Sequence, residues 1–449
     1  MSEKTPEYHH LSRHHHMHIH WNEFFDQRFS TIAREGTIVE RTSLVGQIGL
    51  LLLSCGTGAW RVRDSMNKIA RSLDMTCSAD IGLVSLQYTC FDTGEQSCTQ
   101  VLSLPSTNVN MAKLDRLERF VDEFAESNGE WTIGEIHKRL LAMNRQPSKY
   151  QPIHLGLAAG LACSAFIFLL GGSWPEMICS FFGAGFGNFV RAKMGKHQLT
   201  LLAKIVVSVS LACLVYFLAF QLLSQFGHVS WVHEDGYIGA MLFVIPGFPF
   251  ITAGLDFSKS DLRSGLERLA YALLIILVAT YSGWCVALLL NMHPHSFAVL
   301  HLAPSVLFLF RLVASFCGVF GFSIMFNSTV RMALTAGLVG AIANTLRLSL
   351  ISWYLFPAGG AAFLGALTAG LLASIVGRKV GYPRIGITVP AIVIMVPGLY
   401  MYEMMFNFGL NSIANGAMWA AKTLMIILAL PLGLITARIL TDKIWRKVD

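Results

Sequence analysis

Ile245-Pro246-Gly247-Phe248-Pro249-Phe250-Ile251-Thr252-Ala253-Gly254-Leu255-Asp256 is an apolar segment interrupted by two prolines and two glycines and closed by a carboxylate. Proline removes a backbone donor and glycine admits unusual dihedrals. The pattern predicts a discontinuous helix in a membrane, whose freed amides and carbonyls line a cavity or pack inside protein. It returns as Met395-Val396-Pro397-Gly398-Leu399-Tyr400, with Pro246-Gly247 and Pro397-Gly398 lying 151 positions apart. Paired interruptions in two halves of a chain point to a transporter's binding site.

The surrounding composition agrees. Of 449 residues, 54% are hydrophobic and 14% charged, where about 25% charged is usual for soluble proteins. This is the balance of a polytopic membrane protein. Long apolar runs begin only after about Pro152, so two parts are expected, one in water and one in lipid. The nine cysteines show no paired metal spacing, and Cys163, Cys179, Cys213, Cys285 and Cys317 fall in apolar runs, where cysteine behaves as a small hydrophobe. The opening residues are polar, without a basic-then-apolar pattern, so no cleavable signal peptide is expected and the soluble part is placed in the cytoplasm.

Residues 1–36 form a tail in which His9, His10, His14, His15, His16, His18 and His20 crowd together. That composition suits a transition metal and equally suits an unstructured or tag-like segment. Residues 37–150 read as an α+β domain. Thr37 to Ala59 is a core helix too short in its apolar run to span, and Arg61 to Leu73 places Val62, Met66, Ile69 and Leu73 on one face. Ile81 to Phe91 and Cys98 to Leu104 have strand content around the Asp92-Thr93-Gly94-Glu95 turn. Met111 to Glu126 and Trp131 to Met143 are helices, the first stopped by Asn128-Gly129, the second with capping-box spacing at Thr132 and Glu135.

Spans of the required length, roughly 20 residues, are predicted at 153–170, 175–190, 199–223, 237–255 and 269–290, then at 304–326, 332–346, 361–376, 385–401 and 417–437. An odd number per set inverts the second against the first. The expected fold is an α-helical polytopic membrane protein of about ten transmembrane helices in a 5+5 inverted repeat, with modules at 151–296 and 297–449. Charge supports it. Arg191, Lys193, Lys196, Lys259, Arg263, Arg268, Arg331, Arg378, Lys379, Arg384, Arg438, Lys443, Arg446 and Lys447 fall on predicted inner connections, whereas 224–236 carries Glu234 and Asp235 with no lysine or arginine and 291–296 carries histidines alone. Both termini are then cytoplasmic. Asn188-x-x-Arg191 and Asn344-x-x-Arg347 repeat 156 positions apart, with Arg347 the exception to the charge rule.

Ionisable residues at membrane depth are functional by default. Arg311 lies within Phe308-Leu309-Phe310-Arg311-Leu312-Val313, and Asp256 and Glu403 each follow a Pro-Gly break. The carboxylates can bind an ammonium or carry a coupling proton, or else sit at the interface, and Arg311 can anchor a carboxylate or snorkel. Arg347 and Arg191 can each bind a substrate carboxylate with Asn188 and Asn344 orienting it, although Arg191, followed by Lys193 and Lys196, also reads as a topology signal. Pro246, Gly247, Pro397 and Gly398 complete the candidate site. Gly183, Gly185, Gly187, Gly337 and Gly340 read as close helix contacts.

From about Thr37 onward the chain resembles the threonine/serine exporter (ThrE-type) family. Gly58-Ala59-Trp60-Arg61-Val62-Arg63-Asp64-Ser65-Met66 is similar to its early cytoplasmic signature, and Pro246-Gly247-Phe248-Pro249 through Leu255-Asp256 to its Pro-Gly-x-Pro-Leu-x-x-Gly-x-Leu-Asp segment. The half ending in Val396-Pro397-Gly398 is similar to a module that some bacteria make as a separate subunit, so both modules are fused here. Phe250 and Thr252 depart from the pattern, standing where the family carries a smaller aliphatic residue and often asparagine. The resemblance implies a bacterial inner-membrane exporter of threonine and serine driven by protons, with succinate the cargo of the split relatives.

The expected function is therefore proton-coupled export of threonine or serine, with dicarboxylate export as the alternative on the same architecture. A zwitterion needs one cationic and one anionic partner, and the chain offers both. A membrane-anchored hydrolase is the reading from another class. It requires a framed catalytic constellation, and no P-loop, nucleophile elbow or paired metal motif is found, so no enzyme activity, cofactor or nucleic-acid partner is expected. Expected partners are the small-molecule substrate, protons and membrane lipid, with a homo-oligomer left open.

Overall fold

The computed structural model describes residues 31–146, 148–197, 199–227, 236–292 and 302–446. The histidine-rich tail and positions 228–235 and 293–296 of the two connections expected on the outer side, with Glu234, Asp235 and the histidines, lie outside the described residues. The chain divides into two compact units: the residues up to 147 together with Lys259–Glu267, and the remainder.

The first unit holds α1 (Ile38–Ser54), α2 (Ala59–Ser72), β1 (Met75–Ile81), β2 (Ser85–Asp92), β3 (Ser97–Ser103), α3 (Met111–Glu126) and α4 (Ile133–Arg145). The strands form one antiparallel sheet in the order β1-β2-β3. α1 begins in a capping box that the sequence reading passed over: Glu40 Oε2 accepts from the Thr37 amide at 2.8 Å, and the Glu40 amide donates back to Thr37 Oγ1 at 3.3 Å. Most of α1 is buried, from Leu44 to Leu53. Gly46 is the point of closest approach, because a Cβ there would stand 1.8 Å from Tyr88 Oη. The Tyr88 hydroxyl donates to Thr42 O at 3.0 Å, which satisfies a polar tip inside the core. Thr37→Ala in the full-length protein should cost α1 about 1 kcal/mol; faster amide exchange confined to its first turns would show this, and unchanged exchange would deny the cap any role.

The hairpin around Asp92-Thr93-Gly94-Glu95 forms as expected, joining β2 to β3. β1 is an addition to the expected strands: its inward Met75, Cys77, Ala79 and Ile81 alternate with polar Thr76, Ser78 and Asp80, but Cys77 and Ala79 are small and carry little strand propensity. α2 buries Val62, Met66, Ile69 and the following Leu73, as the spacing predicts. α3 stops at Asn128 and Gly129, both at positive φ. At Thr132 only half of the expected box forms, with the Glu135 amide donating to Thr132 Oγ1 at 3.2 Å while Glu135 pairs with Arg139 instead.

The connection Lys259–Glu267 belongs with this unit by its partners. Asp261 pairs with Arg63 and Arg263 with Asp80. Glu267 Oε2 accepts from the Leu83 amide at 2.6 Å.

The second unit runs α5 (Pro152–Leu170), α6 (Trp174–Lys196), α7 (Leu201–Gly227), α8 (Tyr237–Met241) continued by a 3-10 turn at Leu242–Val244, α9 (Gly247–Ser258), α10 (Leu262–Leu289), whose first turn lies in the other unit, α11 (Pro304–Met325), α12 (Val330–Tyr354), α13 (Ala358–Val380), α14 (Arg384–Val393), α15 (Gly398–Gly409) and α16 (Ile413–Thr441). Among the described residues, seven helices are long and apolar enough to cross a membrane, or up to nine if each of two bent pairs is one span. The bent pairs are Tyr237–Val244 with Gly247–Ser258 and Arg384–Val393 with Gly398–Gly409. The seven helices and the two bent pairs coincide in sequence with nine of the ten expected spans. The tenth, α6, is a 23-residue helix that carries Glu176, Arg191, Lys193 and Lys196 and falls short of that apolar criterion.

Small residues let these helices touch backbone to backbone. A Cβ on Gly156 would stand 2.8 Å from Gly185 O, one on Gly183 2.7 Å from Ala212 O, and one on Gly187 2.7 Å from Ser208 O. The outward faces carry exposed aliphatics such as Leu218, Leu222, Leu273, Leu424 and Leu428. Such a surface fits hydrocarbon rather than water.

Candidate functional site

The two breaks share one geometry. The helices bend by 50° at the first and 51° at the second. At each, the amide after proline folds back two residues, Gly247 N to Ile245 O at 2.8 Å and Gly398 N to Val396 O at 2.9 Å. Pro397 has φ −82 and ψ 62, the inverse γ-turn region that proline's fixed φ favours.

The breaks also meet. A Cβ on Gly398 would stand 1.9 Å from Ile245 Cδ1, and one on Gly247 3.1 Å from Val396 Cγ2. Each glycine is thus the notch that receives the aliphatic side chain two positions before the other glycine. Beside this crossing lies an apolar cavity lined by Met241, Ile245, Pro246, Thr280, Gly398 and Tyr402 among others, with about 10 Å³ of room for a water-sized sphere, on the order of one water. The buried Tyr237 and Tyr402 hydroxyls share a hydrogen bond at 2.6 Å next to it, with their rings edge to face.

Helix α12 supplies a cationic group that reaches the second break. Arg347 Nη1 donates to Met395 O at 3.0 Å, taking up a carbonyl that the interruption leaves outside the helical ladder. Its Nε is buried with no hydrogen-bond partner among the described residues, and the same holds for Asn344 Oδ1. Asn344 Nδ2 donates to Ser315 Oγ at 2.9 Å. In the first half, Asn188 Nδ2 donates to Leu155 O at 2.7 Å while Arg191 Nε donates to Asn188 Oδ1 at 3.0 Å. The Arg191 guanidinium lies 5.5 Å from the Phe243 ring centre, just ahead of the first break. Both Asn-x-x-Arg pairs therefore reach the residues leading into the break of their own half.

The candidate carboxylates sit differently. Asp256 is buried near the end of α9, and its Oδ2 pairs with Arg268 Nε at 3.0 Å, both side chains only 2% exposed. Glu403 is half-buried in the middle of α15, with Asn407 donating to its backbone and side chain. Arg311 is half-buried on α11 among exposed Phe308, Leu309 and Phe310, and its Nη1 reaches Leu348 O only at 3.5 Å, the outer limit of a hydrogen bond. The structure thus gathers Pro246, Gly247, Pro397 and Gly398 at one crossing, with Arg347 on its flank through Met395. It gives Asp256 an ion-pair partner.

Sequence reasoning missed Arg268, because it stands with Lys259 and Arg263 in a stretch that reads as a topology signal. It also missed the Tyr237–Tyr402 pair, for which separation along the chain leaves no local signal. Arg384, another expected topology residue, donates to Ser374 and Thr441. Among the described residues no group of three or more His, Cys, Asp or Glu side chains could hold a metal.

The ThrE family model, described as "Putative threonine/serine exporter", matches residues 43–291, and a second, "Threonine/Serine exporter, ThrE", matches residues 311–440. Two bacterial relatives carry the name "Probable succinate transporter subunit YjjP". The one from Escherichia coli K12 is 25% identical over 248 residues, 55% of this chain and 93% of its own. The one from Klebsiella aerogenes is 24% identical over 248 residues, 55% and 92%. No solved structure matches. With both models matching in succession along a multi-pass helical chain, the protein belongs to the threonine/serine exporter family, its two modules fused in one polypeptide.

Proposed function

We propose that this chain is an inner-membrane secondary transporter exporting threonine, serine or a similar small α-amino acid, probed most directly at the crossing of its two broken helices. That crossing carries the reading: two interruptions of equal bend, each closed by the same two-residue turn, notch into each other reciprocally. This is the relation expected of a 5+5 inverted repeat, in which α6 serves as the span its charges disguise and the soluble unit and both termini face the cytoplasm.

The zwitterion is favoured by what α12 leaves unused. Arg347 Nε is a buried donor and Asn344 Oδ1 a buried acceptor, one helical turn apart, which match a carboxylate and an ammonium on one carbon. A dicarboxylate would want two donors there. The family match supports an exporter rather than an enzyme, and the succinate label of the two relatives keeps dicarboxylate export as the second reading. Asp256 and Glu403 are the carboxylates available for proton coupling.

Counterflow by the purified full-length protein in proteoliposomes tests this. Labelled threonine or serine should exchange at neutral pH and respond to a pH gradient. Exchange of succinate alone would replace the amino-acid assignment with the dicarboxylate one.

A further inference from the structure

Three cysteines of the first unit stand in one row across the sheet. Cys77 on β1 is opposite Cys90 on β2, and Cys90 is opposite Cys98 on β3. All are free thiols, Cys90 buried and the other two half-buried.

The phase of the ladder tells the two pairings apart. In antiparallel sheets, pairs alternate between hydrogen-bonded and non-hydrogen-bonded, and the second kind brings side chains closer. Gly82 N donates to Ser85 O at 2.8 Å, so counting back in steps of two along that register puts Ser78/Thr89 among the bonded pairs and Cys77/Cys90 among the non-bonded ones. On the other side, Asp92 N donates to Gln96 O at 3.0 Å, which makes Cys90/Cys98 a bonded pair. Opposed Cβ atoms lie about 4.5 Å apart in the close pairs and up to about 5.5 Å in the wide ones. A disulfide needs roughly 3.5–4.5 Å. Only the first pair meets that requirement.

We propose that Cys77 and Cys90 are a reversible dithiol/disulfide couple, oxidised by hydrogen peroxide or a peroxide of the same class. The Cys77 thiolate attacks the peroxide oxygen, giving a sulfenic acid and, with a proton, one water. The Cys90 thiol then attacks the Cys77 sulfur, forming the S–S bond and releasing a second water. Two electrons pass from the two thiols to the peroxide, and a dithiol reductant returns them.

The surroundings divide the roles. Cys77 is the more exposed of the two, and its thiol lies below the ordinary cysteine value because Cys90 hydrogen-bonds to it, against the effect of burial. Cys90 is pushed up by that bond and by burial. A lower value raises the thiolate fraction of the accessible sulfur, while the buried one resolves. The bridge would lie three residues along β1 from Asp80, the partner of Arg263 in the Lys259–Glu267 connection.

Peptide mapping of the full-length protein without reductant, after dilute hydrogen peroxide, reads the couple directly. A Cys77–Cys90 linked peptide is expected, with two of the nine thiols lost and regained with dithiothreitol. Cys90→Ser should stop the reaction at a dimedone-trappable sulfenic acid on Cys77, and Cys98→Ser should leave the link intact. The proposal is overturned by a Cys90–Cys98 peptide in its place, or by Cys77 passing to sulfinic acid with no link formed.

Discussion

An Arg268→Met variant is expected to lose most of its folded yield, and adding Asp256→Leu to the same chain is expected to recover it. Arg268 and Asp256 are 2% and 1% exposed, and their side chains meet at 3.0 Å. Removing one partner leaves a charge buried without its counter-ion, which costs about 3–5 kcal/mol, a large part of the roughly 5–15 kcal/mol that holds a domain folded. Replacing both with apolar side chains removes the desolvation debt together with the attraction and is often neutral. Monodisperse yield in detergent and the unfolding midpoint measure the first effect, and pH-driven counterflow by the double variant measures the second. If Asp256 carries the coupling proton, the double variant folds yet loses at least about tenfold in exchange, equivalent to about 1.4 kcal/mol. Undiminished exchange would make the pair purely architectural, and a single variant of normal yield would contradict its burial.

The second large effect is expected at the crossing. Gly398→Val should slow exchange severely, Gly398→Ala less so, and Gly247→Ala least. A Cβ at Gly398 would stand 1.9 Å from Ile245 Cδ1 and 3.0 Å from Leu242 Cδ2, against 3.1 Å and 3.2 Å from Val396 and Val393 at Gly247. Overfilling a packed site costs about 1–3 kcal/mol, or roughly five- to 150-fold if it falls on one conformation of the cycle. Ile245→Ala removes the opposing atoms and should restore much of the rate to Gly398→Ala but none to a control glycine such as Gly337. Rescue of both alike would mean that Ile245→Ala merely loosens the protein.

How much of this was legible depended on range along the chain. Seven apolar helices and both bent pairs could be read because hydrophobic length and Pro-Gly are local signals, and α3 has the bounds its pattern predicts. β1 was legible in principle, because Met75, Cys77, Ala79 and Ile81 alternate strictly with polar Thr76, Ser78 and Asp80, but its small central residues lack the β-branched and aromatic content by which β2 stands out. α6 reads as a span from its glycine-rich apolar middle, although its charged ends keep it below the apolar criterion. The site divided in the same way. Arg347, Asn344 and the glycines could be nominated from spacing, whereas Arg268 was masked by Lys259 and Arg263, and the fact that Gly398 receives Ile245 depends on a fold that joins residues 153 positions apart.

That notch has a consequence for the fusion itself. The E. coli relative, matched over 93% of its length by 55% of this chain, is named as a subunit, whereas here both halves of the notch belong to one polypeptide. A tether turns their encounter into an intramolecular event, with an effective concentration set by the connecting chain instead of by the amount of protein in the membrane. The mated surface is then released from the duty of holding partners together. If the proposed transport cycle parts that surface, the chain still joins the two halves, so separation does not mean dissociation.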